Sequence, residues 1–110
     1  VTMPNVPSVT VNDVPADVTL LDVREQDEWD AGHAPEALHI PMSELAGRLE
    51  ELPNDKDVYV ICRSGGRSAR VTAYLNGNGW DATNVDGGMQ AWDVAGKKMV
   101  SESQADPVVI

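Results

Sequence analysis

The sequence contains one cysteine, Cys62, and its neighbours are those that make a thiol nucleophilic. The run Cys62-Arg63-Ser64-Gly65-Gly66-Arg67-Ser68 follows the apolar stretch Val58 to Ile61 and precedes a helical pattern. Glycine tolerates positive φ, so a turn through Gly65 and Gly66 lets successive backbone N–H groups converge into a nest. The first N–H groups of the following helix lack intrahelical acceptors and point the same way. A sulfur delivered into that cradle sits in positive potential. A free cysteine titrates near a pKa of about 8.5; helix N-termini and nearby arginines bring it to roughly 3.5–7.5, and the thiolate is the nucleophile. The expected roles are Cys62 as nucleophile and Arg63, Ser64, Gly65, Gly66, Arg67 and Ser68 as the residues that hold the sulfur and an anionic donor. Guanidinium groups suit oxyanionic sulfur compounds because they bind with several parallel N–H bonds. The bland alternatives are a buried structural Cys followed by a solvated turn, and a basic turn in a helix.

Charge distribution points to the same place. The chain has 110 residues and a formal net charge of −10, yet Arg63, Arg67 and Arg70 are drawn from only eight Lys+Arg in the whole sequence. Positive charge concentrated in an acidic chain marks an anion site. The overall balance argues against nucleic acid or an anionic membrane as partner. No apolar run is long enough to span a bilayer. The start, Val1 to Asn5, has neither the basic residues nor the apolar stretch of a signal peptide, although a mature chain from which one was removed would read the same. A single cysteine permits no intramolecular disulfide, which is consistent with a reducing compartment such as the cytoplasm. Any second thiol in the chemistry must come from another molecule.

The elements that position this loop are short and alternate in type. Thr19 to Val23, Ala37 to Ile40, Asp57 to Cys62 and Thr83 to Val85 read as strands, with a further edge strand at Val9–Val11. Helical patterns fall at Glu25 to Trp29, from an N-cap at Ser43 through Leu45, Leu49 and Leu52, at Arg67 to Leu75, and from Gly87-Gly88 to Gly96. Asp57 to Cys62 is nearly continuous in apolar residues, as a parallel strand covered on both faces should be. Such alternation predicts an α/β fold: a central parallel sheet of about five short strands with helices on both faces, three layers in all. Ligands in such sheets bind at the carboxyl ends of the strands, where Cys62 emerges. The expected organisation is a lead-in over 1–8, one domain over 9–100 and a surface tail over 101–110.

Three motifs in order carry a family resemblance: Leu21-Asp22-Val23-Arg24-Glu25 with Glu28-Trp29 and Gly32-His33; the loop Cys62 to Ser68; and Asp86-Gly87-Gly88 with Trp92. On these the sequence resembles the rhodanese family from about Val9 to Val100. The resemblance implies a rhodanese-like domain and thiosulfate-type sulfurtransferase chemistry. The Cys62 thiolate would attack the outer sulfur of a thiosulfate-like anion, hold it as a persulfide and pass it to a thiol or other nucleophilic acceptor, small or on a partner protein. It implies no metal and no organic cofactor. Asp22 and Arg24 match the family's Asp-x-Arg segment and are expected to support the site from behind; a buried structural ion pair is the alternative. His33 is expected to bond to backbone rather than serve as a base, because a cradled thiolate needs none. His39 is expected to flank a strand, exposed. Trp29, Trp80 and Trp92 read as packing residues, and Glu25, Asp27, Glu28 and Asp30 as a solvated face. Glu36 stands where the family commonly has glycine, so its turn must avoid positive φ.

Two other readings compete. A cysteine phosphatase or arsenate reductase on the same fold needs Arg after five intervening residues, whereas Ser68 occupies that place and Arg67 follows after four. A non-catalytic or redox-sensing module would use a low-pKa Cys62 for oxidation rather than transfer.

Overall fold

The structure, a computed structural model, describes residues 6–110. The first five residues of the expected lead-in therefore lie outside the described residues. Five strands form one parallel sheet: β1 (Ser8–Val9), β2 (Thr19–Asp22), β3 (Leu38–His39), β4 (Val58–Ile61) and β5 (Ala82–Val85), in the order β1-β5-β4-β2-β3. Among the described residues three α-helices accompany them: α1 (Gln26–Ala31), α2 (Gly66–Asn76) and α3 (Gly88–Val94). This is the α/β, helix-covered parallel sheet that the alternation of patterns predicts.

Strand residues alternate between two apolar layers, as the period-2 geometry of a strand requires. Leu21, Val23, Val58, Val60, Cys62 and Ala82 pack with Val71 and Leu75 of α2 on one side. Leu20, Ile61 and Val85 pack with Met89 and Trp92 of α3 on the other. Cys62 is thus the last member of the layer beneath α2, and its side chain points toward the helix whose N-terminus follows it. Central β4 has Val58, Val60 and Ile61 at 0% exposure, the consequence of cover on both faces.

Several local expectations are corrected. The stretch from Ser43 to Leu52 forms two short 3-10 segments, Met42–Gly47 and Leu49–Glu51, instead of an α-helix capped by Ser43; Pro41 precedes the first. Leu45 and Leu52 reach the core from these tighter turns. The expected strand Val9–Val11 is shorter, ending at Val9, and Val11 begins a 3-10 turn. The end of the chain runs over the surface and is tied down at several points. His33 pairs with Val100 as an antiparallel bridge, Val108 N–H donates to the Ala31 carbonyl, and Val109 packs on the α3-side core. Among the described residues positive φ is confined to glycines, so the turn holding Glu36 is built without the conformation that Glu disfavours.

Candidate functional site

The loop after β4 turns on a single glycine. Gly65 has φ +116° and forms the N-cap of α2, whereas Gly66 is already its first helical residue. The Gly-Gly pair therefore divides its work: Gly65 supplies the turn, and Gly66 needs no special conformation. The effect is to fold the loop back over the cysteine. The Gly65 N–H donates to Cys62 Sγ at 3.1 Å, the Ser68 N–H approaches at 3.4 Å, and Ser68 Oγ lies 3.2 Å away. Cys62 is 1% exposed and Ser68 fully buried. The cradle is therefore enclosed.

Enclosure and hydrogen bonding pull the thiol in opposite directions. Burial raises the pKa of Cys62; the Ser68 hydroxyl and the backbone N–H groups of Ser68, Gly65 and Ser64 together outweigh it, and the net shift is downward. The donors favour the charged sulfur because they are already aimed at it.

A second turn holds the loop from behind. Gly88, with φ +55°, lies against the backbone of Cys62 and Arg63; a Cβ there would sit 2.4 Å from the Cys62 carbonyl oxygen. That close approach lets the Met89 N–H donate to the Cys62 carbonyl (2.8 Å) and the Gln90 N–H to the Arg63 carbonyl (3.0 Å). The first N–H groups of α3 thus find their partners in the cysteine loop. The doubled glycine of Asp86-Gly87-Gly88, expected from the sequence only to open the last helix, also permits this close approach.

The two expected anion-binding arginines are already engaged. Arg67 makes a bidentate ion pair with Glu28 of α1, Nη1 to Oε1 at 2.7 Å and Nη2 to Oε2 at 2.9 Å. Hydrogen bonding from Arg67 lowers the Glu28 pKa, and the carboxylate in turn raises that of Arg67. The reading of Glu28 as part of a solvated face is corrected: its side chain is 13% exposed and faces the cysteine loop. Arg63 Nε donates to the Ile110 carbonyl at 2.8 Å. Arg70 lies beside Met42 and Tyr74 in a shallow hollow between α2 and the 3-10 segments.

Asp22 and Arg24 form a fully buried ion pair behind the loop, Nη2 to Oδ2 at 2.8 Å and Nε to Oδ1 at 3.0 Å. Arg24 also donates to the carbonyls of Gly32 (2.7 Å) and Glu28 (3.2 Å). It thereby fixes the C-terminal end of α1 while the Glu28 side chain reaches forward to Arg67. Neither residue hydrogen-bonds to Cys62 directly. His33 donates from Nδ1 to the Ala34 carbonyl at 2.9 Å; its Nε2 has no hydrogen-bond partner, with Glu102 Oε1 3.3 Å away outside hydrogen-bond geometry. His39 is half-buried, not exposed, and its Nε2 bonds to the Arg24 carbonyl at 2.7 Å. Trp29 stacks between the two imidazoles, with ring centroids 3.5 Å from His33 and 4.6 Å from His39. Trp92 is a core residue whose indole N–H donates to the Lys98 carbonyl; Trp80 packs at the core edge and donates to the Pro53 carbonyl.

Among the described residues no cluster of three or more His, Cys, Asp or Glu is arranged to hold a metal ion, and no helix is long and apolar enough to cross a membrane.

The model of the rhodanese-like domain matches residues 11–95. The chain belongs to the rhodanese-like domain family. Among similar proteins, YtwF of Bacillus subtilis is 46% identical over 74 residues, 67% of this chain and 72% of that protein. A protein of Allochromatium vinosum named sulfurtransferase is 41% identical over 86 residues, 77% of this chain and 80% of its own. A rhodanese-related protein of Thermoplasma volcanium, known from its crystal structure, superimposes with a TM-score of 0.73 at 38% identity, covering 76% of this chain and 83% of that one.

Proposed function

We propose that this rhodanese-like domain moves sulfane sulfur from a thiosulfate-like anion to a nucleophilic acceptor through a persulfide on Cys62. The observation that carries the reading is the convergence of Ser68 Oγ and the N–H groups of Gly65 and Ser68 on Cys62 Sγ. Donors preset around one sulfur stabilise negative charge without reorganising during the reaction. They would serve the attacking thiolate first and the persulfide anion afterwards. The Cys62 thiolate forms an S–S bond to the outer sulfur of the donor. The donor's own S–S bond breaks, and its electron pair leaves on sulfite. The negative charge of the thiolate is then carried by the terminal persulfide sulfur, so no oxidant is consumed. Attack of a thiol acceptor on that terminal sulfur returns Cys62 as thiolate.

In this reading Arg63, Ser64, Gly65, Gly66, Arg67 and Ser68 surround the transferred sulfur and its donor, and Asp22 with Arg24 braces α1 behind them. The relative named sulfurtransferase and the loop's match to the family support it. Intact-mass measurement after exposure to thiosulfate tests it: the reading requires one added sulfur, removable by a thiol and absent in Cys62→Ser. Oxygen or mixed-thiol adducts alone would assign Cys62 to redox sensing instead.

A further inference from the structure

Arg67 is one of two guanidinium groups at the mouth of the cysteine loop, and one N–H on each of its terminal nitrogens is already given to Glu28. The contact crosses from α1 to α2 and joins residues far apart in the chain. It is not an incidental surface pair. Glu28 is 13% and Arg67 30% exposed at the side chain, and the Glu28 carboxylate is doubly fixed, since Oε1 also accepts the Glu25 N–H at 3.0 Å in a capping box. The Glu28 backbone carbonyl is held as well, by Arg24. Glu28 thus stands on a braced helix end and reaches into the donor site.

We propose that Glu28 is a specificity-determining residue of the donor site: by clasping Arg67 it lowers the positive charge that an incoming donor meets, and so disfavours dianionic donors relative to monoanionic ones. The inference rests on the transfer reading above. Its electrostatics are simple. Arg63 and Arg67 are the cations of the loop; Glu28, the neighbouring Glu25, and Asp86, whose Oδ1 lies 3.6 Å from the position a Gly65 Cβ would take, are the anions around it. Adding one negative charge beside Arg67 changes the local potential, and a dianion feels twice what a monoanion feels. The ratio between the two donor classes therefore reports the potential itself, whereas a purely mechanical strut would alter both classes alike.

Thiosulfate and methanethiosulfonate form the test pair. Both give the same Cys62 persulfide. In one case the S–S bond's electrons leave on sulfite, in the other on methanesulfinate, and neither reaction needs an added oxidant or reductant. The measured quantity is the ratio of kcat/KM for thiosulfate to kcat/KM for methanethiosulfonate, with one common thiol acceptor, in wild type, Glu28→Gln, Arg67→Gln and the double variant. Gln keeps the shape of Glu28 and can still accept from Arg67. The inference expects the ratio to rise roughly 3–10-fold in Glu28→Gln, to fall in Arg67→Gln and to return near the wild-type value in the double variant, with all differences shrinking as salt is added. Ratios within twofold of wild type in both single variants, or a parallel loss with both donors, would overturn it while leaving sulfur transfer standing. Wild-type protein that takes sulfur from neither donor would remove the transfer reading and this inference together.

Discussion

Cys62 Sγ and Ser68 Oγ lie 3.2 Å apart, both buried, with the turn of Gly65 closed between them. The serine is the first-turn residue of α2 that brings both a hydroxyl and a backbone N–H to one sulfur. A hydrogen bond to a charged group contributes about 1.5–3 kcal/mol. Ser68→Ala is therefore expected to raise the thiol pKa by about 1–2 units. The more basic thiolate is also the better nucleophile, which offsets roughly half of the effect, so alkylation of Cys62 by iodoacetamide below neutral pH should slow about 3–10-fold. An alkylation rate profile against pH, compared with wild type, checks this.

The two loop glycines should respond differently to substitution. Gly65→Val forces a β-branched residue to φ +116° and presses it toward Gly87 and Asp86, so a loss of about 1–3 kcal/mol and a higher thiol pKa are expected. Gly66 has open space around its Cβ position and helical backbone. Gly66→Ala should be neutral or slightly stabilising, because it restricts the unfolded chain at no steric cost. Urea denaturation of both variants separates the outcomes.

Arg24 is the largest fully buried side chain, and its removal would leave Asp22 charged and unpaired in the interior. Breaking such a pair costs about 3–5 kcal/mol. Arg24→Met should lower the melting temperature sharply and loosen α1, whose last turn it holds through the carbonyls of Glu28 and Gly32. Calorimetry gives the first effect and amide exchange at α1 the second.

The lowered pKa of Cys62 has a thermodynamic counterpart. An acid whose pKa is depressed by folding adds stability that is fully present above the unfolded thiol value and lost as pH falls through the folded one. Wild type should thus gain stability over Cys62→Ser as pH rises across that window, and the gain should level off above about pH 8.5. Chemical denaturation of both proteins at a series of pH values would show it; a constant difference would mean that folding leaves the thiol pKa unchanged.

The parts of this protein that were legible in the sequence are those where residue type dictates backbone conformation or period. Val58 to Cys62 could only be a covered strand, and a cysteine followed by Gly-Gly and a helical pattern announced a cradle. The alternation of short strands and helices implied the parallel sheet. What escaped were long-range partners. Nothing local says that Glu28 leaves its acidic neighbours to bind Arg67 across the site, or that the α3 N-terminus caps carbonyls of the cysteine loop. The leucines at 45, 49 and 52 suit a helix by spacing, but two 3-10 turns bury Leu45 and Leu52 equally well, and period alone does not choose between them. The burial of His39 likewise depends on a distant partner, the Arg24 carbonyl just beyond the end of β2.

The claim on which the rest depends is that the loop holds Cys62 as an anion. Because the chain has a single cysteine, thiolate absorbance near 240 nm, followed against pH on the folded protein with Cys62→Ser as the blank, reads that one group. A midpoint clearly below that of a free thiol is the predicted result. A midpoint at or above it would mean that burial outweighs the converging donors, and would contradict the account.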